Sequence, residues 1–177
     1  HSNAVNRERS IMLLAQISDT HIKPQRRLAY GVVDTAAMLE QCVAAILKLK
    51  QRPDAVIVTG DLVDLGRPDE YGLLREILDP LSSLPLYLLP GNHDERGALR
   101  ASFPDHDYLR RWDPFIQYAI EDHALRIVGL DTVIPGQGGG ELEDLAFVHE
   151  SGSVGMGVWG ITGVQQFQCQ AAGAARH

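Results

Sequence analysis

The chain has 177 residues, 45% hydrophobic and 22% charged, enough for one domain with a real core and ordinary for a soluble globular protein. Its formal net charge is −7, and no Lys/Arg run exceeds Arg26-Arg27 or Arg110-Arg111, which argues against a nucleic acid polymer as partner. No apolar run is long enough to span a membrane, and two cysteines outside any Cys-x-x-Cys pair, Cys42 and Cys169, point to a reducing cytoplasm rather than a disulfide scaffold.

His1-Ser2-Asn3-Ala4 lacks a signal peptide's apolar stretch and looks like an expression scar, so residues 1–10 are read as a scar and an N-terminal arm. A native leader could have preceded them. Ile11–Ile17 is too short and continuous for an amphipathic helix and is predicted as a buried strand. A polar loop runs from His21 to Tyr30. Asp34 then suits a helix N-cap, and Leu39, Cys42, Val43, Ile46 and Leu49 recur at helical spacing before Pro53 closes the segment. Ala55–Val58 is the second strand. A helix is predicted from Pro68, a residue suited to a first helical position, burying Leu73, Leu74, Ile77 and Leu78 and ending at Pro80. Leu86–Leu89 is the third strand. Short helices are expected around Leu99 and Tyr108, and Phe115–Ile120 with Ala124–Leu130 flank Glu121-Asp122-His123 as a hairpin. The order strand–helix–strand–helix–strand is that of a parallel α/β unit. After Asp144 the pattern is lost. Ser151–Gly163 is Gly-rich and Gln165–Ala175 is Gln/Ala-rich, so residues 11–144 are read as the domain and 145–177 as a divergent segment.

Polar residues stand just beyond each of the three strands. Asp19-Thr20-His21 follows the first, Gly60-Asp61 the second and Gly91-Asn92-His93-Asp94 the third. In open α/β sheets ligands bind at this carboxyl edge. Carboxylate, imidazole and amide groups meeting there suit divalent ions such as Mn, Fe, Zn or Co, and the lack of thiolates argues against a structural zinc cage. Taken singly, Asp19, Asp61 and Asn92 are ordinary turn or capping residues. The two-residue offset of Asp19 and His21 puts both on one face of an extended segment, which favours joint ligation.

The ordered set Asp-x-His, Gly-Asp and Gly-Asn-His-Asp resembles the calcineurin-like metallophosphoesterases. Ile17-Ser18-Asp19-Thr20-His21, Thr59-Gly60-Asp61-Leu62-Val63-Asp64 and Leu89-Pro90-Gly91-Asn92-His93-Asp94 resemble the branch holding bacterial cyclic-nucleotide phosphodiesterases and glycerophosphodiesterases, as do Tyr30-Gly31, Arg67-Pro68-Asp69-Glu70-Tyr71 and Leu130-Asp131-Thr132. The resemblance covers residues 11 to 143 and implies a four-layer α/β-β/α sandwich with an incomplete or divergent second half. It also implies a metal-dependent phosphodiesterase acting on cyclic nucleotides or glycerophosphodiesters through a metal-activated water.

Two divalent ions about 3.5–4 Å apart can clamp a phosphate and acidify a bound water, and a carboxylate between them screens their repulsion. Asp61 is the candidate bridge. By the resemblance, Asp19 and His21 join it on the first ion and Asn92 on the second. His93 is placed near the phosphate as the catalytic residue, able to stabilise the transition state or protonate the leaving alkoxide. Asp94 could orient the His93 imidazole or cap the next helix. Asp64 reads as a loop hydrogen-bonder, and Asp131 as structural. Arg26, Arg27 and Tyr30 could contact substrate, although the arginines are equally well ordinary surface charge.

The histidines that the resemblance implies after residue 144 are not legible. His149 follows Leu145-Ala146-Phe147-Val148 and is kept as a candidate ligand, yet it lies only 18 residues beyond Asp131, without room for the expected helix. His123 is expected in solvent at the hairpin turn, and His106 in a polar stretch. Two further readings differ in class. A truncated or catalytically weak fragment would act as a binding or interaction module, with exposed apolar surface favouring self-association. A nucleotide-binding α/β domain fails, because no Gly-x-Gly-x-x-Gly or Walker-type loop follows the first strand.

Overall fold

A computed structural model describes residues 12–123, 126–141 and 170–171. Three short apolar runs become β1 (Leu14–Ser18), β2 (Ala55–Thr59) and β3 (Leu86–Leu88), and they pair in parallel, with β2 between the other two. Every residue of β2 is buried, which explains a sequence, Ala-Val-Ile-Val-Thr, in which β-branched residues follow one another without alternation. A strand covered on both faces has no polar side to alternate with.

The connections are helices α1 (Thr35–Leu47) and α2 (Pro68–Leu78). Asp34 caps α1 as expected, its carboxylate accepting from Ala37 N at 2.9 Å. Leu39, Val43 and Ile46 are buried and Cys42 is half-buried. Leu49 departs from the expectation: α1 ends at Leu47 and Leu49 is 39% exposed, because the chain has already left the helix and its apolar face. Pro68 starts α2. Glu70 closes the first turn, its Oε2 accepting from the backbone N–H groups of Leu65 and Arg67.

Beyond β3 come α3 (Arg96–Ser102), a 3-10 turn at Asp107–Arg110, and the hairpin β4 (Tyr118–Ile120) and β5 (Ile127–Gly129). The hairpin is the one expected, with shorter strands, and among the described residues it forms a separate two-stranded antiparallel sheet. The Tyr118 ring lies flat on Gly129, where a Cβ would come 2.7 Å from Cζ. Tyr108 stacks edge-on against both Tyr87 and Tyr118, and its hydroxyl accepts from Leu88 N at 2.7 Å, covering part of the edge of β3 that faces away from β2. His123 is half-buried with its ring edge-on to Tyr87, not solvated, because the hairpin turn folds back on the tyrosine cluster. Gln170–Ala171 forms β6, antiparallel to β1. The fold is thus α/β, with three parallel strands joined by the antiparallel β6 in one sheet and the β4–β5 hairpin as a second. No helix among the described residues is long and apolar enough to cross a membrane.

Candidate metal centre

The loops leaving β1, β2 and β3 meet at one edge of the parallel sheet. The Asp19-Thr20-His21 loop is tied along the exit of β2: Asp19 N donates to Thr59 O (3.0 Å), His21 N to Asp61 O (2.9 Å) and Ile22 N to Leu62 O (3.2 Å). The Thr20 hydroxyl donates to Leu62 O at 2.6 Å, and the Thr35 hydroxyl to His21 O at 3.1 Å. Held this way, Asp19 and His21 both take left-handed backbone conformations, with φ of 53° and 40°. Asp and His are among the few non-glycine residues that visit this region with any frequency. Two such residues two positions apart mark a loop whose conformation the surroundings impose.

Glycines make the close approach of the loops feasible. A Cβ on Gly60 would stand 2.8 Å from Asp19 Oδ1, and one on Gly91 would stand 2.2 Å from Asp61 Oδ1 and 2.5 Å from Asp61 N. The Asp19 carboxylate therefore rests on Gly60, beside Asp61, and the Asp61 carboxylate rests on Gly91, the residue before Asn92. Asp61 Oδ1 accepts from His93 N at 3.0 Å, leaving Oδ2 turned toward the histidines. It lies 3.6 Å from His21 Nε2 and 4.0 Å from His93 Nε2, while the two imidazoles meet edge-on at 4.9 Å. One donor atom each from His21, Asp61 and His93 falls within a span of 4.8 Å. Donors bound at about 2.0–2.2 Å to one ion stand roughly 3–4 Å apart, the separation of Asp61 Oδ2 from each imidazole Nε2. The electrostatics fit as well. Burial and the neighbouring Asp61 charge push the Asp19 carboxyl above its usual range, against the pull of the Ser18 hydroxyl and His21. A cation beside such a buried carboxylate would favour its charged form.

His93 is oriented by Asp64, through the backbone: its Nδ1 lies 2.7 Å from Asp64 O. A carbonyl can only accept, so Nδ1 carries the proton and Nε2 is the atom presented to the centre. The Asp64 side chain makes an ion pair with Lys23, in keeping with a loop hydrogen-bonder. Asp94 does neither of the two things expected of it. Glu95 caps α3, accepting from Gly97 N and Ala98 N. The Asp94 carboxylate instead gathers Leu62 N, Val63 N, Gly91 N and the Tyr71 hydroxyl, and burial pushes it up to about 7 despite these donors. Sequence reasoning missed this hub, and Tyr71 with it. The signal available was a carboxylate that follows Asn-His and is preceded by a helix bearing an otherwise unexplained tyrosine.

Asp131 is structural, as read. Its side chain is fully buried, and it takes both Nε (2.7 Å) and one terminal nitrogen (2.8 Å) of Arg96 as well as Ile116 N and Val133 N. Arg26 is held by Glu40 of α1 at 2.6 Å, both side chains substantially exposed, the plainer of its two readings. Arg27 is exposed, as is Tyr30, at 80% and with a left-handed φ of 50°. His149 lies outside the described residues.

Comparison with known proteins bears on the same stretch. A family model described as calcineurin-like phosphoesterase matches residues 12–164. The chain is 41% identical over 133 residues to a probable glycerophosphodiester phosphodiesterase GpdQ of Arcobacter nitrofigilis, covering 75% of this chain and 48% of that one. It is 40% identical to the glycerophosphodiester phosphodiesterase GpdQ of Enterobacter lignolyticus, with the same 75% and 48% coverage. To the 3',5'-cyclic adenosine monophosphate phosphodiesterase CpdA of Pseudomonas aeruginosa it is 33% identical, over 81% of this chain and 50% of that one. The chain spans about half the length of the curated relatives it matches.

Proposed function

The chain belongs to the calcineurin-like phosphoesterase family, whose members use divalent metal ions, and from that premise we propose that it serves the hydrolysis of small phosphodiesters. The names of its relatives, glycerophosphodiester and cyclic-nucleotide phosphodiesterases, support that substrate class. The observation that carries the reading is the convergence of His21, Asp61 and His93 within 4.8 Å at the carboxyl edge of a parallel sheet. Asp19, His21 and Asp61 would hold one divalent ion, and Asp61 with Asn92 a second, with Mn, Fe, Zn and Co all suited to such donors. Bound there, the ions would supply charge neutralisation at the phosphate and a water acidified to act near neutral pH.

The protein's own contribution is placement. Asp61 is anchored at Oδ1 by His93 N, so Oδ2 is free to face the centre, as a shared ligand requires. His93 is locked at Nδ1 by Asp64 O, so a proton reaching the leaving alkoxide would come from Nε2 of the imidazolium. The test is turnover of bis-p-nitrophenyl phosphate in Mn²⁺, with metal content measured alongside. His93→Ala should slow turnover by roughly 10²–10⁴-fold, the usual range for a general acid or base, while retaining metal. Loss of metal together with turnover would make His93 a ligand. Unchanged turnover would remove it from the mechanism.

A further inference from the structure

The carboxylate of Asp94 lies in the interior between the two loops that carry Asp61 and Asn92-His93. Its Oδ2 accepts from Leu62 N at 3.0 Å and from Gly91 N at 2.8 Å. Leu62 is the residue after Asp61, and Gly91 is the residue before Asn92. One oxygen atom therefore fixes the distance between the two loops at the point where both present ligands. The other, Oδ1, accepts from Val63 N at 3.3 Å and from the Tyr71 hydroxyl at 2.8 Å. That hydroxyl in turn accepts from Glu95 N at 3.0 Å, and Tyr71 is fully buried on α2. The Asp94 carboxylate touches neither the His93 imidazole, which Asp64 O holds, nor the N–H groups of the first turn of α3, which the Glu95 side chain caps.

We propose that Asp94 and Tyr71 are a positioning pair: through one carboxylate bridging two loops, and a helix hydroxyl that aims it, they set the spacing between Asp61 and Asn92. The inference rests on the proposed metal centre. It assigns the pair an effect on one ion more than on the other. The ion held by Asp19, His21 and Asp61 draws on the β1 and β2 loops, which are laced together by their own backbone hydrogen bonds. An ion held between Asp61 and Asn92 spans the gap that Asp94 sets. Outer partners of metal ligands change affinity by roughly 10–100-fold when removed.

Tyr71→Phe removes one hydroxyl and almost no volume, and Asp94→Asn keeps the shape while replacing two acceptor lone pairs with donors that face N–H groups. Leu74→Ala, on the same helix and buried without contributing to the network, is the control for lost stability alone. Each is made in the full chain and titrated calorimetrically with Mn²⁺, with thermal unfolding followed in parallel. In Tyr71→Phe and Asp94→Asn the site between Asp61 and Asn92, which has the fewer protein ligands and is therefore the weaker of the two, should lose about 10-fold or more in affinity, and the site of Asp19, His21 and Asp61 far less. Leu74→Ala should lower the melting temperature without changing the ratio of the two affinities. Equal weakening of both sites, or the same ratio in all four proteins, would overturn the pair while leaving the metal centre standing. A parent protein that takes up no Mn²⁺ would overturn the metal centre itself and the inference with it.

Discussion

Gly91→Ala is the smallest change that should disable the centre from outside its ligands. Gly91 is not among the glycines with positive φ, so alanine meets no conformational penalty and the effect is steric. The added Cβ would lie 2.2 Å from Asp61 Oδ1, 2.5 Å from Asp61 N and 2.6 Å from Gly60 C. Two of these three are backbone atoms, which cannot swing aside as a side-chain tip can. To reach even 3.0 Å, the Asp61 carboxylate must recede by about 0.8 Å and the loop must move with it. Overpacking of this kind costs about 1–3 kcal/mol, and a collision with main chain belongs near the upper end. For a chain of this size that corresponds to a melting temperature lower by roughly 6–12 °C. Because the displaced group is the proposed shared ligand, Mn²⁺ affinity should fall as well, by about 10-fold or more. Gly72→Ala supplies the contrast: it lies in α2 with nothing within 4 Å of the added Cβ, and alanine inside a helix should stabilise by about 0.5–1 kcal/mol. The assays are calorimetric unfolding and Mn²⁺ titration of both variants. A Gly91→Ala protein melting within about 2 °C of the parent and binding Mn²⁺ as tightly would refute the steric reasoning.

Three further outcomes are expected. If Asp61 is shared between two ions, Asp61→Asn should reduce bound metal at limiting Mn²⁺ while Asp64→Asn leaves it unchanged, since the Asp64 group that matters to His93 is a backbone carbonyl; elemental analysis of both variants decides this. Arg96→Met should destabilise by about 3–5 kcal/mol, the usual result of stranding one member of a buried ion pair, because Asp131 has no exposed side-chain surface; chemical denaturation measures it. Burial lowers the His106 pKa from its ordinary 6.5, against the pull of Asp105. The folded state therefore favours the neutral ring, and its contribution, complete above about 6.5, is lost as pH falls from there through the lowered value. His106→Gln should accordingly lose less melting temperature than the parent between pH 7.5 and 5, and equal losses would count against the assignment.

The sequence made the three loops that carry the proposed ligands legible because each sits at the end of an apolar run, and hydrophobic periodicity is the most readable signal in a chain. The cap at Asp34 and the start of α2 at Pro68 were legible for a similar reason, since both follow from the local demands of a helix terminus. Contacts between loops were not. Asp94 joins residues some 30 positions apart in the chain, and nothing local to Asn92-His93-Asp94 distinguishes a carboxylate that caps a helix from one that bridges two loops. The partner of His93 was hidden for another reason. It is the main-chain oxygen of Asp64, and a backbone acceptor leaves no trace in residue identity. Leu49 shows the opposite failure: its spacing fits the helical stripe, but spacing alone does not say that the helix has already ended. His123 shows how a turn can be placed correctly while the surface its side chain meets, here Tyr87, is supplied from elsewhere in the fold.

The left-handed conformations of Asp19 and His21 bear on how portable this centre is. Their backbone is held in place by Thr59, the last residue of β2, and by Asp61 and Leu62 of the loop after it, so the Asp-x-His arrangement is not a property of its own three residues. Copied alone onto another parallel sheet, Asp-Thr-His would relax toward an extended or helical conformation and turn its carboxylate and imidazole apart. Transplantation would have to carry the Gly60–Val63 loop as well, with glycine where the Asp19 carboxylate comes to rest. Selection on a new activity in this fold meets the same restriction. Replacing Asp19 by Glu preserves the charge yet asks a longer, less tolerant side chain to occupy a left-handed backbone. Residue choice at the first loop is thus constrained twice, by what can bind a cation and by what the neighbouring strand will allow the chain to do.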